Sequence, residues 1–370
     1  MKFSVESALL AKGVNIVKKA ISSSPNAPIF SGLHLIVRDN VLELIAMDLN
    51  FSMSTTLPVT EGVDGDVVIP AKQFSDLLSK IEQEVIKVEK NDSANEINII
   101  TAKGVFNIPL MDKDEYPPFP HFEGEKNINI SEDKLRELIR KTVYACSTDE
   151  TRPLFTGVLL EKKGQNITCV GTNTHRLAIK TVTIEEEDDS ELKIIIPARL
   201  LREIFANTGK EVPEEIEIGL KDRQIQVKIG KTKLISSLIE GNFPDYRRVI
   251  PPQFGTKTLF DAQELANAIV RVATFSNDEY KIIRINVEND KLLLSSGISD
   301  IGKAREEVEC EAKGESLNIA FNSKYILDIL KNADSEKLVM EMNNSLSPAC
   351  IKPVNEDDYL YIVTPVRVIF

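Results

Sequence analysis

At 370 residues the chain is too long for one ordinary core and calls for two or three domains. Hydrophobic residues at 42% and charged residues at 28% exclude a disordered chain, and no apolar run approaches the roughly 18 residues of a membrane helix. The formal net charge of −12 weighs against a nucleic-acid partner if only the sum is considered.

The start, MKFSVESALLAKGVNIVKK, predicts a strand and then an amphipathic helix rather than a secretory signal, so a cytoplasmic chain with no membrane attachment is expected. On that helix Leu10, Val14, Val17 and Ile21 form one stripe, with Lys12 and Lys19 opposite. PIFSGLHLIV from Pro28 and the overlapping HLIVRDNVLELIAMD follow, the latter with the period-two alternation of antiparallel strands. VVIPAKQFSDLLSKI from Val67 reads as strand, break and second helix, and DEYPPFP follows near Tyr116. SEDKLRELIRKTVYACS then starts the same order again. Its residues Leu135, Leu138, Ile139, Thr142, Val143 and Cys146 share a face, and Arg140 and Lys141 lie on the far side with Glu137. PLFTGVLLEK from Pro153 repeats PIFSGLHLIV, and KIIIPARLLREIF from Lys193 repeats VVIPAKQFSDLLSKI. DRQIQVKIGKTKLISSLIE alternates, and GNFPDYRRVIP near Phe243 answers DEYPPFP. DAQELANAIVRVATFS opens a third copy, continued by a fainter YKIIRINVEN from Tyr280 and by LNIAFNSKYILDILKNA from Leu317.

The copies lie about 125 residues apart, too far for a solenoid repeat of roughly 20–50 residues and right for whole domains. The expected fold is α+β: three repeated domains over 1–122, 123–252 and 253–370, each with two helices on antiparallel sheet.

Charge is unevenly spread over these elements. The six predicted helical windows (7–20, 71–80, 131–145, 197–209, 260–274 and 322–333) hold 14 basic and 8 acidic residues, a surplus of +6, so the rest of the chain carries −18. Solvated helix faces favour Lys and Arg as a plain alternative. Glu is as good a helix former, however, and 49 of the 57 acidic residues avoid these windows. A helical surface facing a polyanion fits better, with loose phosphate contact independent of sequence.

Motifs for chemistry are sparse. IGKT at 229–232 matches the end of a phosphate-binding loop, but Ile225 stands where that loop needs Gly, so a turn is expected. No dinucleotide fingerprint, nucleophile elbow or zinc-protease motif occurs. The four cysteines (Cys146, Cys169, Cys310, Cys350) are scattered, which predicts reduced thiols and neither disulfide nor metal site. The acidic run EEEDDSE from Glu185 reads as a solvated hairpin tip. Of three histidines, His175 in GTNTHRLAIK stands beside Arg176 and could serve an enzyme, with Ser147, Asp149 and Glu150 as imaginable partners, although no spacing supports it.

Four strings, STDETRPLFTGVLLE, TNTHRLAIK, GNFPDYRRVIP and the terminal YIVTPVRVIF, occur in order along a threefold repeat. Together they make the chain similar to the bacterial sliding clamps, the β-subunit family of DNA polymerase III. The resemblance implies a head-to-tail homodimeric ring whose helices line a hole for double-stranded DNA, with no chemistry and no cofactor. It implies partners that dock a short peptide: the polymerase III catalytic subunit, the clamp loader and other proteins carrying a clamp-binding motif. Carried over by motif, the docking pocket would take Phe155, Thr172, Thr174, His175, Arg176 and Leu177; Pro244, Arg248 and Val249; Leu346 and Pro348; and Val363, Thr364, Pro365, Val366, Arg367 and Val368. Two positions depart from the family pattern: Thr174 stands where Gly is frequent, and Thr364 where Met is common. Candidates to face DNA are Lys12, Lys19, Arg140, Lys141, Arg199, Arg202, Lys324 and Lys331. The joint between copies would use Phe106 and Ile108 against Phe275, and the ring would work in the cytoplasm at the nucleoid. Competing readings are a clamp of the two-domain trimeric kind, an enzyme using His175, and a repeat scaffold that binds no DNA.

Overall fold

The computed structural model describes residues 1–22, 27–122, 126–185, 191–209, 216–276, 282–297 and 302–368. Most of the acidic run after Glu185 and the first two residues of YKIIRINVEN lie outside them. Among the described residues there are six α-helices, two in each copy of the repeat: α1 (Ser7–Val17), α2 (Ala71–Leu78), α3 (Glu132–Thr142), α4 (Ala198–Asn207), α5 (Ala262–Ala273) and α6 (Ser323–Asn332). None is long and apolar enough to cross a membrane.

Among the described residues all strand pairing is antiparallel, and the turns follow from residue chemistry. Asp39 and Asn40 (φ 49° and 58°) link Gly32–Arg38 to Val41–Met47. In the third copy, Asn289 and Asp290 (φ 51° and 57°) link Ile282–Glu288 to Lys291–Ser296 in the same way. Asn and Asp tolerate the left-handed backbone that a two-residue hairpin link requires. IGKT is such a link, with Gly230 at φ 54° between Gln224–Ile229 and Thr232–Ser237.

The chain forms two compact units, Met1–Glu132 with Glu203–Leu238, and Asp133–Arg202 with Ile239–Phe370. In the first, a five-stranded sheet runs in the order Thr60–Val63, Lys2–Glu6, Val85–Asn91, Glu96–Ile100, Val105–Pro109. An eight-stranded sheet joins Thr232–Ser237 to Phe51–Pro58, with Thr55 opposite Thr232. Helix α1 buries Leu10, Val14 and Val17 of the stripe read from its sequence, and Ile21, beyond its end, is half-buried. At Gly13 a Cβ would stand only 2.8 Å from Leu57 and 2.9 Å from Leu44, so the helix lies close against those two strands.

The second unit holds one twelve-stranded sheet. Leu192–Pro197, Gly157–Lys163, Asn166–Thr172 and Arg176–Thr183 continue into Tyr359–Val363, then through seven more strands to the edge at Leu317–Asn322. Leu265, Ile269 and Val272 of α5 and Ile326 and Ile329 of α6 pack with Ile283, Ile285 and Leu294 in its main core. Asp261 caps α5 by accepting from Glu264 N–H at 2.8 Å.

Gly171, near the end of strand Asn166–Thr172, lies against the last turn of α3. A Cβ there would fall 2.3 Å from the Thr142 carbonyl oxygen, a backbone atom that cannot step aside. Gly171→Ala should therefore lower stability by about 1–3 kcal/mol, read as a reduced urea midpoint at unchanged slope.

Candidate functional site

A pocket of about 260 Å³ opens within the second unit. Its floor comes from the pairing of Arg176–Thr183 with Tyr359–Val363, which sets Leu177 opposite Ile362. Both side chains belong to an apolar cluster with Leu159, Val170, Ile195, Phe243 and Tyr246. Phe155, from the 3₁₀ turn Pro153–Thr156, meets Phe243 edge to face with centroids 6.1 Å apart. Pro244, Asp245 and Val249 supply one rim, Pro348 and Thr364 another.

The hairpin loop Asn173–Thr174–His175 forms the third side, held by its own polar side chains. Thr172 Oγ1 accepts from Thr174 N–H at 3.1 Å and donates to Arg176 O at 2.6 Å. Asn173 Oδ1 accepts from the backbone N–H groups of His175 and Arg176, both at 3.0 Å. Thr364 donates to His175 O through its N–H at 2.9 Å and its hydroxyl at 2.7 Å. These bonds hold Thr174 at φ 77°, a left-handed conformation that is strained for a β-branched residue.

Ten of the sequence candidates line the pocket: Phe155, Thr172, Thr174, His175, Arg176, Leu177, Pro244, Val249, Pro348 and Thr364. Arg176 does so without offering its guanidinium, which donates to Asp328 and to Tyr144 O and lies 4.6 Å from the Tyr325 ring centroid. Val363 is a correction. It is fully buried in the main core on the other face of its strand, because the period of two gives Ile362 to the pocket instead. Arg248 and Leu346 point outward, the former 84% exposed and paired with Asp245. Pro365, Val366, Arg367 and Val368 lie outside the pocket lining, where Val366 N–H donates to Ala320 O at 2.8 Å. Phe243, Asp245, Tyr246 and Ile362 were not singled out from the sequence. The alternation Leu360–Ile362 against Tyr359–Tyr361–Val363 would have found the last.

Behind the pocket wall lies Glu161, 8% exposed. Its carboxylate accepts from Tyr246 Oη at 2.9 Å and Arg247 Nη2 at 3.0 Å, and pairs with Lys193 Nζ at 3.2 Å. Burial alone would raise its pKa, but these three donors outweigh it and hold the carboxyl below its ordinary 4.5.

Family models for the N-terminal, central and C-terminal domains of the DNA polymerase III β subunit match residues 1–120, 129–245 and 247–367. The chain belongs to this family. It is similar to the β sliding clamp of Staphylococcus aureus (strain COL), with 30% identity over 99% of each chain. That of Bacillus subtilis (strain 168) is 29% identical over 99% of this chain and 100% of the relative. Among solved structures, a B. subtilis DNA polymerase sliding clamp superposes with a TM-score of 0.92 at 28% identity, and a Pseudomonas aeruginosa sliding clamp bound to griselimycin with 0.91 at 26%. Both cover the whole of each chain. The chain thus carries three clamp domains of helices and antiparallel sheet, which removes the two-domain reading. Clamps are accessory subunits without catalysis, which removes the enzyme reading of His175. Ser147 and Asp149 bond locally, Ser147 Oγ to Asp149 N–H and Asp149 Oδ1 to Thr151. No metal-binding group of His, Cys, Asp and Glu exists among the described residues.

The basic candidates of this clamp chain divide by surroundings. Lys12, Lys19, Arg202, Lys324 and Lys331 are exposed. Arg140 is partly exposed and paired with Asp334, and Arg199 is half-buried. Lys141 is a correction. It is 4% exposed, lies 4.7 Å from the Tyr359 ring centroid and donates to Ala333 O at 3.3 Å, and burial lowers its pKa. The far side of α3 is not free there, since the end of α6 and the Tyr359 strand cover it. Phe106 lies 42% exposed on the edge strand Val105–Pro109, and Phe275 is 40% exposed. Ile108, on the same strand, is 6% exposed and packs into its own unit.

Two outcomes follow from this geometry. Thr174→Gly should raise stability by about 0.5–1 kcal/mol, relief of the left-handed strain being partly offset by glycine's greater unfolded-state entropy; thermal unfolding reads it. Glu161, with its pKa depressed on folding, stabilises the chain fully above its unfolded value near 4.5 and loses that effect as pH falls through the lower folded value. Glu161→Gln should therefore be less stable than the parent at pH 7, with the gap closing below that range in denaturant titrations.

Proposed function

We propose that two copies close head to tail into a ring around duplex DNA and that the ring tethers the replicative polymerase to its template. Domain models of one clamp family along the whole chain carry this reading. The charge distribution supports it independently, since the helices bear the surplus of Lys and Arg in an acidic chain. Lys12, Lys19, Arg140, Arg199, Arg202, Lys324 and Lys331 would meet phosphates, and Lys141 is withdrawn from that set. Such contacts are non-directional and screened by salt, so a topologically linked ring can slide while it stays on the duplex.

The joint would pair the exposed edge strand carrying Phe106 with the region of Phe275 in the second copy. An exposed strand edge with Val105 and Phe106 on its surface favours closure by another chain. The pocket would receive short peptides of the polymerase III catalytic subunit, the clamp loader and other clamp-binding proteins. Its apolar floor suits an aliphatic-aromatic anchor, and Thr172, Thr174 and Thr364 in its lining suit a peptide backbone. The ring would act in the cytoplasm at the nucleoid.

The ring reading predicts a solution mass of twice 41.3 kDa. After loading, it predicts retention on circular duplex DNA with rapid loss from free-ended linear molecules. A monomeric mass, or equal retention on both DNAs, would overturn it.

A further inference from the structure

The wall formed by Phe243–Val249 is held in an unusual way. Asp245 caps its 3₁₀ turn (Tyr246–Val249) by accepting from Arg247 N–H, and pairs with Arg248 Nε at 3.2 Å. Arg248 N–H donates to Asp245 O, and Ile250 N–H to Arg247 O, both at 3.3 Å. All of these bonds stay between Asp245 and Ile250. Among the described residues, its one polar attachment to the rest of the fold is Glu161, which accepts from both Tyr246 and Arg247. Arg247 also lies over the Tyr246 ring at 4.4 Å, so hydroxyl, guanidinium and ring are gathered on one carboxylate.

That carboxylate is itself fixed. Glu161 sits within strand Gly157–Lys163, directly between Thr168 and Lys193 on the neighbouring strands, and Lys193 holds its second oxygen. A rigid sheet position thus reaches behind the pocket and grips a short turn with no ladder of its own. Contacts to apolar neighbours resist separation but are weakly directional, whereas two charge-assisted bonds set position and orientation.

We infer that Glu161 is the positioning residue of the pocket: without lining the cavity, it sets where the Tyr246–Val249 wall stands and so how tightly an aliphatic-aromatic peptide anchor is held. This rests on the pocket being a peptide site. Preorganisation is the physical basis, since a wall fixed before binding loses no further freedom when the peptide arrives.

The test uses the full chain and a fluorescent hexapeptide carrying a Leu-Phe anchor, titrated by anisotropy at neutral pH. Tyr246→Phe keeps the ring in the wall and removes only the bond to Glu161. Glu161→Gln leaves one amide oxygen as acceptor and removes the charge that holds Arg247 and Lys193. Each should weaken binding about three- to tenfold, with the melting transition still cooperative. The double variant should weaken binding by less than the product of the two single effects, because both act on the Tyr246–Glu161 bond. Val249→Glu, a change at a half-exposed rim position, serves as the pocket control. If it abolishes binding while Glu161→Gln and Tyr246→Phe stay within twofold of the parent, the inference is wrong and the peptide site stands. Lower melting temperatures with unchanged affinity would overturn it in the same way. A parent chain that fails to bind, or a Val249→Glu chain that binds normally, would overturn the peptide site and this inference with it.

Discussion

One pairing of strands organises the second unit. Arg176–Thr183 of the central domain lies antiparallel to Tyr359–Val363 of the C-terminal domain, and through this contact four strands of one repeat continue into eight of the next. Register is the constraint. Leu177 opposite Ile362 puts both on the pocket face, while Arg176 opposite Val363 puts both on the other. A slip of one residue would exchange the faces, losing the apolar floor and exposing the core at once.

The face away from the pocket is unusually polar for an interior. Arg176 is committed to Asp328, to Tyr144 O and to the Tyr325 ring. Four residues on, Lys180 at 3% exposure meets Glu137 at 2.9 Å and Asp358 at 2.7 Å. Buried charges are costly to desolvate and contribute little net stability even when paired. Their directionality is another matter, because only the observed register presents Arg176 and Lys180 to these acids. The polar face thus discriminates between registers, and the apolar face gains a floor from the choice. Asn173 Nδ2, 3.2 Å from Tyr325 Oη, ties the pocket loop to the same α6 helix.

Much of this was legible in the chain. The repeat, the two helices per copy, the alternating strands and the IGKT turn follow from periodicity and turn chemistry, which are local properties. The pocket candidates came from resemblance, and the expectations that failed did so where long-range packing decides. Lys141 falls on the polar side of a helical wheel, but a wheel does not know that Tyr359 and the end of α6 pack on that side. Val363 was carried over with its motif, whereas strand alternation sends it to the opposite face from Ile362. Arg176 was carried over with its motif, yet its guanidinium is taken by Asp328, 152 residues on, and by Tyr144 O, 32 residues back. Glu161 gave no sequence signal, since a Glu in an alternating strand normally marks the solvated face. Thr174 was the reverse case: it stands where the family frequently has Gly, and its φ of 77° is a backbone conformation that Gly adopts without strain.

Function follows from keeping two kinds of contact apart. The basic helices suit weak, exchangeable attraction to phosphates, while the pocket is an apolar cavity with a prearranged rim. A protein that only tethers needs the first to be loose and the second to be specific, and no residue of either need react. The most direct measurement of this account is primer extension on a long single-stranded circle by the cognate polymerase III catalytic subunit and clamp loader, under single-encounter conditions. Adding this protein should lengthen the product of each encounter many-fold without changing the rate of nucleotide addition on short templates. Product lengths that do not change on its addition would contradict the account.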